Sequence, residues 1–143
     1  MNSELEMNRL WIQEICEDFK EVDQVYQWED SYGADGQCET ASLDFITWAL
    51  GRQLYHRDEI SIAVFVTPRK MNNLFWDGRQ ETMSYKGHNP EVFLYQEAPH
   101  HWYRNGCRWE GHVVVKIGNI CIDWTARQFH PSAPFPLIFM MGD

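Results

Sequence analysis

The sequence predicts an α+β domain, with helix-forming segments gathered in the first third and strand-forming segments in the remainder. Three observations carry that prediction. Apolar residues recur at three- and four-residue steps through residues 3–26, and a second helical run opens at Cys38. Downstream, β-branched runs at residues 60–66 and 111–124 are bounded or split by turn residues. Helices followed by a meander of strands imply helices packed on an antiparallel sheet.

In the first segment, Leu10, Trp11, Ile15, Phe19, Val22 and Tyr26 recur at three- and four-residue steps, while Glu14, Glu17, Asp18 and Glu21 fall mainly on the opposite side, the pattern of a core-packing amphipathic helix. Ser3 is the expected cap, with Glu6 as its capping-box partner. Residues 28–36 lead out of this helix through Gly33 and Gly36. The next helix, residues 38–50, is apolar on nearly every face. It is therefore expected to run through the interior and to stop at Gly51.

Residues 60–66 read as a strand ending before Pro68, and residues 91–95 as a second, shorter one. Residues 69–89 mix glycines, asparagines and aromatics, and suggest a surface excursion suited to a lid or substrate wall. The clearest hairpin joins residues 111–117 and 120–124 through the two-residue turn Gly118-Asn119. The proline-punctuated tail, residues 130–139, reads as an extended wrapping segment rather than a helix.

The bulk composition narrows the function. A chain of 143 residues with 44% hydrophobic and 23% charged residues suits a single globular domain, residues 1–143. Aromatic content of 15%, with seven tryptophans, implies large side chains in the core and around a pocket or interface. A net charge of −9 argues against nucleic acid and anionic membrane as partners, because phosphate binding needs lysine and arginine. The four cysteines (Cys16, Cys38, Cys107 and Cys121) are not needed as staples in a chain this long, and reduced thiols in a cytoplasmic protein are expected. No secretory signal is visible at residues 1–6, and no apolar run approaches the roughly 18 residues of a membrane span.

Cys38 stands where a glycine-bearing loop meets a helix N-terminus. Unpaired backbone N–H groups and the positive end of the peptide dipoles favour thiolate there, and thiolate is the nucleophilic form. A thiol nucleophile needs a base and a group to orient that base. The turn at Gly118-Asn119 sets Ile117 opposite Ile120, so residues whose numbers sum to 237 (117 + 120) face each other. His112 then lies opposite Thr125 and on the same face as Asp123, a diagonal neighbour at about 7–8 Å between Cα atoms and less between side chains. Cys38, His112 and Asp123 are thus the expected catalytic residues.

Gly36-Gln37-Cys38 entering a buried helix, Gly111-His112-Val113-Val114-Val115, and the string from Ile122-Asp123-Trp124-Thr125 to Gln128-Phe129 together resemble the papain-like and transglutaminase-like cysteine enzymes. The chain is most similar to their compact papain-fold branch among bacterial toxins, effectors and phage proteins, which includes protein-glutamine deamidases with Cys-His-Asp sites. The resemblance covers residues 35–50 and 110–129. It implies a papain-like core and a thiol-dependent acyl-transfer hydrolase, a cysteine peptidase or glutamine deamidase, with transglutamination the less favoured outcome. The implied substrate is a protein or peptide, and no cofactor is implied. Tyr32 stands where papain has the glutamine that serves as second oxyanion donor; Gln128 and Gln37 are the candidates to replace it, beside the Cys38 N–H.

Two other readings compete. His100, His101, Cys107 and His112 are metal-ligand types, but their spacing matches no zinc motif, so no metal is expected. A non-catalytic acidic inhibitor on a papain-like scaffold is the second, since fold alone does not dictate activity.

Overall fold

A computed structural model describes residues 2–68, 90–94 and 111–141. Helices α1 (Asn2–Phe19), α2 (Ser31–Ala34) and α3 (Cys38–Gly51) precede or pack on a sheet of strands β1 (Ile60–Val66), β2 (Glu91–Leu94), β3 (Gly111–Ile117), β4 (Ile120–Asp123) and β5 (Leu137–Met140). The strand order is β2-β1-β3-β4-β5. The α+β class expected from the sequence is present.

The sheet is mixed, not antiparallel. β2 runs parallel to β1, pairing Ala63 with Glu91 and Val66 with Leu94. The connection from β1 to β2, residues 67–90, is long enough for the crossover that parallel neighbours require. Every other pairing is antiparallel. In the β3–β4 hairpin, Val115 pairs with Ile122, Lys116 with Cys121 and Ile117 with Ile120, the register set by the two-residue turn. Gly118 adopts φ 59° in that turn, which its missing side chain permits.

Strand alternation sorts the sheet residues into two clusters. Ile60, Ile62, Val64, Val66, Val113, Val115, Ile120 and Ile122 join residues of α1 and α3 in the larger core. Ala63, Phe65, Val114 and Cys121 face the other way, against Phe129, Ala133, Leu137 and Phe139. Phe19 is central to the first cluster. Its ring meets Trp124 at 5.0 Å, Phe45 and Trp48 at 5.1 Å and Trp28 at 6.4 Å between centroids.

Several local expectations are corrected. α1 starts at Asn2, so Ser3 lies inside the helix rather than capping it. The helix stops at Phe19, not Tyr26; tighter three-residue bonds such as Val22 N–H to Phe19 O and Val25 N–H to Val22 O follow, and a 3-10 turn at Val25–Trp28 buries both of its end residues. α3 is buried along Ala41, Ser42, Leu43, Phe45, Ile46 and Ala49, but Glu39, Thr40 and Thr47 face solvent, so the helix has one wet edge. Gly51 is its last residue rather than its stop. Gln53 takes the left-handed position at φ 59°, with Gln53 N–H bonded to Leu50 O and Leu54 N–H to Ala49 O, the double bond of a Schellman turn. The tail is not helical, as expected, but it is not extended throughout: it turns at residues 131–132, with Ala133 N–H bonded to His130 O, and straightens only into Leu137–Met140, which joins the sheet beside β4. Residues 69–89, where a lid was expected, lie outside the described residues.

Helix α2 was not anticipated in residues 28–36. Asp30 caps it, its carboxylate accepting from Gly33 N–H at 2.6 Å. A Cβ on Gly33 would run into the Gln27 carbonyl. Gly33→Ala therefore has to move backbone, and a loss of about 1–3 kcal/mol in urea denaturation is expected. Unchanged stability would mean that the 27–33 contact is looser than described.

Candidate active site

Cys38 is the first residue of the 14-residue helix α3. The loop ahead of it bends at Gly36, φ 72°, a left-handed conformation that suits glycine. One turn into the helix, the buried Ser42 hydroxyl donates to Val113 O at 3.3 Å and fixes the helix start against β3. Cys38 borders the core beneath α3.

His112 comes from the other face of the sheet. It pairs with Phe65, whose ring lies in the second cluster, and its imidazole meets the edge of Phe129 at 4.7 Å. Asp123 pairs with Leu137 on that same face. His112 Nε2 and Asp123 Oδ2 are 2.7 Å apart, with side chains 1% and 0% exposed. The sulfur of Cys38 lies within interaction range of the same imidazole; with Nε2 engaged by Asp123, Nδ1 is the nitrogen left to meet it. Thiol, imidazole and carboxylate, 85 residues apart in the chain (123 − 38), therefore form one run at the end of β3.

The second carboxylate oxygen is also held. Asp123 Oδ1 accepts from Thr125 N–H at 2.9 Å and from the Thr125 hydroxyl at 3.4 Å. Each carboxylate oxygen thus receives an N–H donor, which only a carboxylate can satisfy. Asp123→Asn either sets an amide NH₂ against the Thr125 N–H or turns it on the imidazole, which must then give up its Nε2 proton and lose a charge-assisted bond. It should cost about 1–3 kcal/mol of stability in urea denaturation. Asparagine accommodated without loss would contradict this donor assignment.

The electrostatics separate Cys38 from the other described cysteines. Cys16, Cys38 and Cys121 are all free. Burial pushes the thiols of Cys16 and Cys121 up to about 12. Burial acts upward on Cys38 as well, yet the hydrogen bond and charge of His112, with a backbone bond from Val113, outweigh it and bring the thiol below its ordinary 9.0; the Asp123 charge opposes them. For His112, burial disfavours the cation, but the charge and hydrogen bond of Asp123 and the contact with Cys38 carry it up to about 10. Both shifts favour a thiolate–imidazolium pair, and the helix N-terminus favours the thiolate further.

The other residues named from the sequence fall as follows. Gln128 spends both ends of its amide: Nε2 donates to Thr125 Oγ1 at 3.0 Å, and Oε1 accepts from Gly36 N–H at 3.4 Å. Gln37 is the residue before α3, partly buried, and makes no capping bond with its side chain. Tyr32, on α2, is 95% exposed. His100, His101 and Cys107 lie outside the described residues, and among the described residues no three metal-ligand side chains converge. Arg127 was not anticipated. Its Nη1 donates to Glu29 O at 2.6 Å and its Nε to Ala133 O at 2.8 Å, tying the segment after β4 to the start of the Cys38 loop.

No protein-family model, curated protein or solved structure matches the chain. Among the described residues no helix is long and apolar enough to cross a membrane.

Proposed function

We propose that the chain is a thiol-dependent acyl-transfer hydrolase built on a papain-like core, acting on a carboxamide or peptide bond of a protein or peptide. The observation that carries this reading is the buried 2.7 Å bond from Asp123 to an imidazole whose other partner is a thiol at a helix N-terminus. Asp123 fixes the tautomer by accepting a hydrogen bond from Nε2–H, which keeps its proton, so Nδ1 exchanges a proton with sulfur.

The chemistry follows from that polarity. Thiolate attacks the carbonyl carbon, and the C–O electron pair moves onto oxygen. The Cys38 N–H lies in the first turn of α3, without an acceptor four residues back, and faces the developing oxyanion, with the Gln37 side chain the second donor. As the tetrahedral adduct collapses, His112 protonates the departing ammonia or amine and a thioester remains. His112 then takes a proton from water, which attacks the thioester, and the sulfur leaves as thiolate. The net change is amide plus water to carboxylic acid plus ammonia or amine.

Mass spectrometry of a peptide mixture exposed to the protein and to Cys38→Ala tests the reading. Glutamines converted to glutamates indicate deamidation, new termini indicate proteolysis, and joined peptides indicate crosslinking; each must vanish in the variant. A mixture left unchanged, together with a Cys38 no more reactive than a free thiol, would favour the inhibitor reading.

A further inference from the structure

The active-site run does not end at Asp123. Thr125 donates both its N–H and its hydroxyl to Asp123 Oδ1, and the same hydroxyl oxygen accepts from Gln128 Nε2 at 3.0 Å. Gln128 Oε1 then accepts from Gly36 N–H, two residues before the nucleophile, across 92 positions of sequence. The donors all point one way: Gly36 to Gln128 to the carboxamide's own N–H, on to Thr125, and from its O–H to the carboxylate. The ring closes through His112 and Cys38.

We propose that Gln128 and Thr125 are positioning residues that lock the Cys38 loop to Asp123, so that sulfur, imidazole and carboxylate keep one mutual geometry. This rests on Cys38 being the nucleophile. Gly36 needs such a restraint, because it bends at φ 72° and nothing lies within 4 Å of where its Cβ would stand. Arg127 holds the other end of the same loop at Glu29 O, so consecutive residues clamp both ends. The amide is engaged at both ends, so holding the loop needs no contact between Gln128 and substrate.

The test is the pH dependence of Cys38 alkylation by iodoacetamide on the full chain. Thr125→Val keeps the shape and the backbone N–H but removes the hydroxyl, Thr125→Ser keeps the hydroxyl, and Gln128→Leu removes both amide bonds. Gln128→Glu keeps the acceptor for Gly36 and loses the donor to Thr125 with little change in volume. A lost hydrogen bond of ordinary strength predicts a fall of about 3–10-fold in labelling at mildly acid pH for Thr125→Val and Gln128→Leu, with an unchanged alkaline plateau and a midpoint moved upward. Thr125→Ser should label as the parent does and Gln128→Glu fall between. The Thr125→Val/Gln128→Leu double variant should fall less than the product of the two, as members of one circuit do. A structural role alone would lower the melting temperature and leave the midpoint in place. Unmoved midpoints beside a fast-labelling parent overturn this inference alone, and should the leucine and valine variants not fold, an unmoved Gln128→Glu does the same. A parent that labels no faster than a free thiol overturns both this inference and the functional reading.

Discussion

His112→Ala is expected to lower turnover about a thousandfold or more. Three effects combine. The base that strips water and the acid that protonates the leaving group both disappear. The thiol also loses the hydrogen bond and charge that oppose its burial, so its ionisation should move up, in the direction in which burial moves Cys16 and Cys121. Finally, Asp123 is left buried without its imidazole partner, and removing one member of a buried pair typically costs about 3–5 kcal/mol. His112→Gln fills the same space and can still donate to Asp123, so it separates lost catalysis from lost folding. Turnover of His112→Gln within tenfold of the parent would contradict the assignment.

The sign of the pH dependence follows. The folded imidazole is raised from 6.5 to about 10, so its pairing contributes stability that is complete below pH 6.5 and is lost as pH climbs through about 10. The lowered thiol works the other way on reactivity, keeping thiolate available below its ordinary 9.0.

Phe19→Ala should destabilise the fold by about 3–5 kcal/mol in urea denaturation, a large share of the 5–15 kcal/mol typical of a domain. Phe19 is 1% exposed and joins rings from the 3-10 turn (Trp28), α3 (Phe45, Trp48) and the residue after β4 (Trp124). Truncation opens a cavity where α1, α3 and the end of the hairpin meet, and these elements cannot all close it at once. Tyr26→Ala, at a side chain 72% exposed, should stay within about 0.5 kcal/mol. Comparable losses in the two variants would show that the aromatic cluster is not the stabilising centre.

The parts of the fold legible in the sequence are those fixed locally. A two-residue turn sets the β3–β4 register, and that register places His112 and Asp123 on one face. β1 coincides with its β-branched run because alternation and the following proline bound it. Cys38 opens α3, as a glycine loop meeting an apolar helical run implies. What stayed hidden depends on distant chain. The parallel partnership of β2 sets residues 91–94 beside 63–66, a long-range pairing that no local pattern encodes. α2 is four residues long, signalled by little more than a capping aspartate. Gln128 stands out by its motif, yet its bond to Gly36 exists only because that residue approaches from 92 positions away. The helix stop at Gln53 is unreadable for the opposite reason, since glutamine carries no signal for a left-handed conformation.

The most direct test of the central claim is an ultraviolet titration of thiolate in the parent protein, with Cys38→Ala subtracted to isolate one sulfur. Thiolate absorbance from Cys38 should rise at a pH clearly below 9.0, and in His112→Gln it should shift to above that value. A parent whose Cys38 thiolate forms only at or above 9.0, indifferent to His112, would contradict the account.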